Sequence, residues 1–183
     1  MRRIFLWSLL AMAIASSTLQ AVAQSAEAIH RREARITREV RHKLLMLPEF
    51  SVWDNLAFKV NGDTVVLLGQ VRNAVLKDDA QRAIKNIEGV EHIDNQIEIL
   101  PVSFNDDRIR RQVARVIFRD SRLFRYSMGA VPPIHIIVKS GHVALEGVVA
   151  NQGDKNVAGI RANEVPGVFS VTNNLVVEHP SQK

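Results

Sequence analysis

The residues of this chain best placed to do chemistry are arginines. Between residues 108 and 122 five of them recur at intervals of three or four: Arg108, Arg111, Arg115, Arg119 and Arg122. At 100° per residue these five fall within about 80° of one another on a helix, beside an apolar stripe. A guanidinium pairs with phosphate through two parallel hydrogen bonds. The spacing therefore predicts a basic helical surface, here called the arginine ridge, that could bind phosphate groups.

Apolar side chains follow the ridge directly, with Phe124, Tyr126 and Met128 all close to Arg122. Exposed apolar residues beside a basic helix face are typical of contact with an anionic membrane, where each basic residue contributes about 1 kcal/mol. The candidate lipid-binding residues are Arg108, Arg111, Arg115, Arg119, Arg122, Phe124 and Tyr126. Two alternatives stay open. The ridge could face a protein partner, or it could be a solvated helix face while Phe124 and Tyr126 fill the core.

A similar but weaker pattern lies near the start of the chain. Arg31, Arg35, Arg38 and His42 share one face if the first helix extends back to residue 31. We call this set the first-helix ridge. Nearby acidic residues, Glu39 among them, would neutralise part of its charge.

No other residues form a recognisable reactive site. The chain has no cysteine, and its six histidines lack the close spacing of a zinc site. A turn at Ser140 and Gly141 would place His142 opposite Lys139 rather than opposite His135. Glycine-rich phosphate loops and nucleophile elbows are missing as well. The sequence therefore predicts no catalytic residue, metal site or cofactor, and a protein that is not an enzyme.

The N-terminus has the form of a secretory signal peptide. Two arginines precede an apolar run of about a dozen residues, too short to span a bilayer, and Ala21-Val22-Ala23 has the small-any-small pattern before cleavage. We expect cleavage after Ala23 and export to the periplasm, which argues against nucleic acid as a partner. Without Arg2 and Arg3, 22 basic residues face 19 acidic ones, a net charge of +3.

The rest of the chain contains two copies of one small α/β pattern. In the first copy, after a tail at 24–35, an amphipathic helix begins at Ile36, a hairpin turns near Gly62, and a second helix ends before Gly89. Residues 69–98 then align with residues 147–176 without a gap. The predicted segments are a first domain at 36–100, a linker at 101–107, a second domain at 108–178 and a C-terminal tail at 179–183. The predicted fold is α+β: two tandem αββαβ modules, each a three-stranded mixed sheet packed against two helices.

Glycines recur at matching places in both copies. Gly69 and Gly147 lie inside strands, where the usual reason is a close approach of another backbone or a bulge, and we expect close packing of the second helix across the strand. Gly89 and Gly167 follow helices and require a special backbone conformation. Asn95 and Asn173 would fix the start of the last strand through side-chain hydrogen bonds to the backbone.

These repeats resemble the BON (bacterial OsmY and nodulation) domain, which has a Leu-x-Gly-x-Val strand and a Gly-Val pair before an Asn-containing strand. The matching stretches are Leu67 to Val71 with Gly89-Val90, and Leu145 to Val149 with Gly167-Val168. The resemblance implies a periplasmic binding protein that contacts phospholipid membranes and supports envelope integrity, as osmotically inducible relatives do. A chaperone-like module that binds envelope proteins is the alternative. The chain departs from lipoprotein relatives in lacking their cysteine, and about six extra residues near Gly129 enlarge the second copy.

Overall fold

The computed structural model of this protein describes residues 27–129 and 131–178. Within them the chain folds as two α+β modules, each with the order helix, strand, strand, helix, strand. This architecture confirms the predicted fold. The predicted leader with its cleavage after Ala23, and the tail at 179–183, lie outside the described residues.

The first module has a helix, a hairpin, a second helix and a last strand broken into two short pieces. Asn73 caps the second helix by accepting a hydrogen bond from the amide of Val75 at 3.0 Å. The elements are α1 (27–45), β1 (Asn55–Asn61), β2 (Thr64–Val71), α2 (Ala74–Ile84), β3 (His92–Asn95) and β4 (Glu98–Ile99).

The second module repeats this order with one addition, a short 3₁₀ helix (Phe124–Ser127) after its first helix. Its hairpin turn has positive φ at both Ser140 and Gly141, as a type I′ turn requires. His142 pairs with Lys139, as predicted. The elements are α3 (Phe104–Phe118), β5 (Ile134–Lys139), β6 (His142–Val149), α4 (Gln152–Asn163), β7 (Ser170–Asn173) and β8 (Val176–Val177).

Each sheet has its middle strand between an antiparallel and a parallel neighbour. β2 pairs antiparallel with β1 and parallel with β3 and β4. In the second module β6 pairs antiparallel with β5 and parallel with β7 and β8. The first strand of each sheet, β1 or β5, therefore lies at an edge. Asn95 and Asn173 bridge the break in the last strand, because each donates to a carbonyl of the second helix and accepts from an amide two residues ahead.

The strand glycines have a different cause from the predicted helix packing. Gly69 and Gly147 both have φ of 114°, and a Cβ there would lie 2.0 Å from the carbonyl oxygen of Asn55 or Pro133. The close neighbour is thus the backbone at the start of the edge strand, Asn55 in β1 and Pro133 just before β5. Gly89 and Gly167 do adopt the positive φ that the sequence predicts.

Both first helices begin earlier than predicted. α1 is already helical at residue 27, so most of the predicted tail is helix. α3 begins at Phe104 inside the predicted linker, because the Ser103 hydroxyl caps it by accepting from the amide of Asp106 at 3.2 Å. Asp106 itself is buried and accepts from the amides of Ser140 and Gly141, so it does not cap the helix.

The two modules have separate hydrophobic cores, and each core is also contacted by a segment of the other module: residues 52–53 contact the second core, and Val131 packs against the first. Residues 50–53, between α1 and β1, lie against the second module. The amide of Ile136 donates to the carbonyl of Val52 at 2.8 Å, and the rings of Phe50 and His135 stack at 5.1 Å. Trp53 packs against the second core. The edge strand β5 is therefore covered by chain from the first module.

Candidate functional site: a basic helix face on the second module

The arginine ridge lies on the outer face of α3. The helix buries Ile109, Val113 and Ile117 in the second core and turns its arginines to solvent. Arg108, Arg111, Arg115 and Arg119 are all exposed. Over these residues the helix rises about 16 Å, enough to reach several neighbouring phosphate groups.

Acidic side chains close to the ridge are occupied elsewhere. Asp107 pairs with the buried Arg110 at 2.6 Å and with Arg72 of the first module at 3.3 Å. Asp120 accepts from Arg161 at 2.9 Å, and the pKa of its carboxyl is lowered by the backbone amide of Arg122 and by Arg161. Within residues 27–129 and 131–178, no carboxylate lies within ion-pair distance of Arg111, Arg115 or Arg119. The ridge therefore keeps its positive charge.

Arg122 departs from the predicted helical face. α3 ends at Phe118 with Arg119 at its cap, so Arg122 lies in the following turn. Its Nε is 3.9 Å from the carboxylate of Asp154, which is nearly fully buried at the start of α4. Arg122 is thus drawn toward α4 rather than continuing the ridge.

Tyr126 is a correction to the predicted contact residues. It is 8% exposed and belongs to the second core. Its hydroxyl donates to Asp154 at 2.6 Å and accepts from the amide of Ala150 at 2.8 Å, which fixes the ring inside the module. Phe124, on the same 3₁₀ helix, is 56% exposed and stays available for contact.

A cluster around Asp154 holds the 3₁₀ helix against α4. Arg125 donates to the Asp154 carboxylate and lies over the Tyr126 ring, 4.9 Å from its centroid. Burial raises the pKa of the Asp154 carboxyl, but hydrogen bonds from Tyr126 and Arg125 outweigh it and leave that pKa below its ordinary value. The cluster is therefore ionised and serves to position the segment after α3.

The first-helix ridge is partly neutralised, since Arg31 and Arg35 have acidic partners and Arg38 has none among the described residues. Arg35 pairs with Glu39 at 3.2 Å and with Glu88 at 3.4 Å. Arg31 lies 3.9 Å from Glu27. Of the two basic faces, the one on α3 is the more strongly positive.

A comparison with known families explains why the two modules match. The BON domain family matches the chain twice, at residues 32–101 and at residues 105–179. The chain belongs to the BON domain family. The duplicated pattern of glycines and asparagines is thus the pattern of two successive BON domains.

The chain is also similar in sequence to an outer membrane lipoprotein. The outer membrane lipoprotein DolP of Haemophilus influenzae is 32% identical over 120 residues, which cover 63% of this chain and 58% of that protein. The alignment therefore spans less than two thirds of the length of DolP.

Two solved structures are more distant. Both are of CdsD, a structural protein of the type III secretion system of Chlamydia trachomatis, and one is its C-terminal domain. Their identities are 11% and 12%, and their TM-scores are 0.28 and 0.27. The alignments cover 79% and 78% of this chain, and 92% and 96% of those chains. Scores this low carry no argument about function.

The BON domains contain one candidate contact residue that sequence reasoning missed. Phe104, at the first position of α3, is 92% exposed. At 100° per residue it falls in the same sector of the helix as the arginine ridge. The signal that could have found it is Ser103, because a serine three residues before an acidic residue marks a helix start. That cap moves Phe104 out of the predicted linker and onto the helix.

Other reactive groups do not converge. Among residues 27–129 and 131–178, no three His, Asp or Glu side chains are placed to hold a metal ion. No described helix has the length and apolar character needed to cross a bilayer. The Nδ1 of His135 donates to the carbonyl of Ser51 at 3.2 Å, while the Nδ1 of His142 lies 2.8 Å from the hydroxyl of Ser170. Each of these two histidines has its own local partner.

Proposed function

We propose that this protein is a non-catalytic component of the bacterial cell envelope that binds anionic phospholipid through α3 of its second BON domain. Kinship with an outer membrane lipoprotein, DolP, supports the envelope location. The single observation that carries the lipid proposal is the charge state of α3. Its exposed Arg111, Arg115 and Arg119 have no acidic partner among the described residues.

The first BON domain provides an internal comparison. Its equivalent helix also carries exposed arginines, but Glu27, Glu39 and Glu88 pair with Arg31 and Arg35. A lipid phosphate approaching Arg31 or Arg35 would meet the nearby carboxylates, whereas one approaching Arg111, Arg115 or Arg119 would not. The second domain is therefore the better phosphate-binding surface.

Apolar side chains at both ends of α3 would complete the contact. Phe104 precedes the ridge and is 92% exposed, and Phe124 follows it at 56%. Basic residues attract the surface from about a Debye length away, whereas a phenyl ring inserts only at the headgroup boundary. The helix would lie along the membrane with its arginines among the phosphates.

Vesicle co-sedimentation tests this proposal. The full chain should bind vesicles of phosphatidylglycerol and phosphatidylcholine, and binding should fall when salt rises from 0.1 M to 1 M because the Debye length shrinks from about 10 Å to about 3 Å. Arg111→Glu with Arg115→Glu should abolish the salt-sensitive part of this binding. Phe104→Ala should weaken binding while leaving its salt dependence unchanged.

A charge-matched control separates the ridge from net charge. Lys43→Glu with Lys85→Glu changes the net charge equally at exposed positions on the other domain. This variant should retain most of its vesicle binding. Equal losses in the two double variants, or full binding by Arg111→Glu with Arg115→Glu, would contradict the assignment to α3.

A further inference from the structure

The first BON domain contains an open groove between α1 and the edge strand β1. Its volume is about 750 Å³. Its floor is apolar and its rim is mainly basic. The residues of the floor that matter here are Leu44, Leu45, Phe50, Leu56, Phe58 and Val60, and those of the rim are His30, Glu33, Arg38 and Arg41.

In the second BON domain the buried side chain of Arg110 occupies the equivalent position. Thr37 and Arg110 are equivalent, because each follows the first buried isoleucine of its helix, Ile36 or Ile109. Arg110 is 3% exposed and donates through Nη2 to the carbonyl of Val138 on the outer edge of β5. The much shorter Thr37 leaves that space open in the first domain.

The edge strands β1 and β5 also differ in whether their outer backbone groups are paired. The amide of Ile136, on the outer edge of β5, is paired with the carbonyl of Val52 at 2.8 Å. β1 and β5 have the same register with their middle strands, so the group on β1 that matches Ile136 is the amide of Phe58. Within the described residues, nothing pairs with the outer edge of β1. An unpaired edge next to an apolar groove can accept an added strand.

Charge at the rim indicates what such a strand would carry. Arg38 and Arg41 are exposed and have no ion-pair partner in the described part of the chain. The rim carboxylate of Glu33 is already used, since it accepts from the amide of Gly62 at 2.9 Å. The groove therefore favours a ligand with carboxylates.

We propose that the first BON domain binds an extended acidic polypeptide segment, which adds to β1 as a further strand and places apolar side chains in the groove. On β5 the matching amide is already used, because a turn at residues 51–54 places the carbonyl of Val52 to accept from the amide of Ile136. The peptide backbone would pair with Phe58, and its acidic side chains would meet Arg38 and Arg41. This site is separate from the arginine ridge.

Fluorescence anisotropy with a labelled octapeptide, Asp-Val-Glu-Leu-Asp-Phe-Glu-Val, tests the proposal on the full chain. Thr37→Arg copies the second domain and should weaken binding about tenfold or more by filling the groove, and Arg38→Glu with Arg41→Glu should do the same through charge repulsion. Two peptides N-methylated at odd or at even positions should differ, because only one edge of an added strand pairs with β1. In hydrogen exchange the amide of Phe58 should become slower when peptide is bound.

The outcomes separate this site from lipid binding. Arg111→Glu with Arg115→Glu should bind the peptide normally even if it loses vesicle binding, so either proposal can fail alone. Equal binding by both N-methylated peptides, an unchanged Phe58 exchange rate, or full affinity in both groove variants would overturn the proposal. Displacement of the peptide by dodecanoate at equal concentration would also overturn it, because the groove would then be a fatty-acid site. If Thr37→Arg does not fold by circular dichroism, the exchange rate and the N-methylated peptides decide.

Discussion

Replacing Asp154 by alanine should destabilise the second BON domain by about 3 kcal/mol. The carboxylate is buried and accepts from the Tyr126 hydroxyl at 2.6 Å, and a buried hydrogen bond to a charged group contributes about 1.5–3 kcal/mol. Arg122 and Arg125 are more than half exposed, so together they add only about 1 kcal/mol. The Asn151 amide, 3.2 Å from the carboxylate, is a weaker partner.

Thermal unfolding followed by circular dichroism measures this loss. In a chain of this size about 1 kcal/mol corresponds to 2–4 °C, so the melting temperature should fall by about 6–12 °C. Asp154→Asn keeps the shape and one acceptor and should cost about half as much. A double-mutant cycle with Tyr126→Phe should give a coupling of about 1–2 kcal/mol.

The effect should also depend on pH. Because the pKa of Asp154 lies below its ordinary value of 3.8 in the folded protein, its contribution is complete above that value and is lost as pH falls through the folded pKa. As pH falls through that acidic range, Asp154→Asn should lose less stability than the unchanged protein does. A fall of less than about 2 °C for Asp154→Ala, or a coupling near zero, would refute the view that this cluster anchors the 3₁₀ helix.

Three further predictions concern the fold. Gly147→Ala should prevent stable folding of the second domain, because the new Cβ would lie 2.0 Å from the carbonyl oxygen of Pro133. An unchanged urea unfolding curve would contradict this. Burial lowers the pKa of His135, so stability should decline as pH falls below the ordinary value of 6.5. Melting temperatures of His135→Phe, measured from pH 8 to 5, should lack this decline. Asn173→Ala should cost about 1–2 kcal/mol in urea unfolding, because the carbonyl of Lys155 loses its donor at 2.7 Å, and no change would exclude a bridging role.

Local patterns of the sequence were enough to predict much of the fold. The glycines that need positive φ, and the turn at Ser140 and Gly141, are decided by neighbours within a few residues. The element order follows from them, and the repeat shows that it occurs twice. The helix starts were less well predicted, because the cap at Ser103 was not recognised and residues 27–35 have no clear apolar stripe.

The site was only partly predictable. Periodicity places Arg108, Arg111 and Arg115 on one helix face, and the structure shows them exposed. It does not say that the helix ends before Arg122, or that Tyr126 turns inward to Asp154, 28 residues further on. Whether Tyr126 is a surface or a core residue depends on that distant partner.

The sequence by itself determined the duplication, the order of elements and the side of α3 on which the arginines stand, because these depend on local backbone preferences and helical period. Only the tertiary structure decided which charges keep a neutralising partner. Glu88 reaches Arg35 across 53 residues, while Arg111 and Arg115 meet no acid among the described residues. Tertiary structure also decided that Arg110 closes one groove while Thr37 leaves the other open. Ion pairs and packing join residues that are distant along the chain, so their outcome is set by folding and not by spacing.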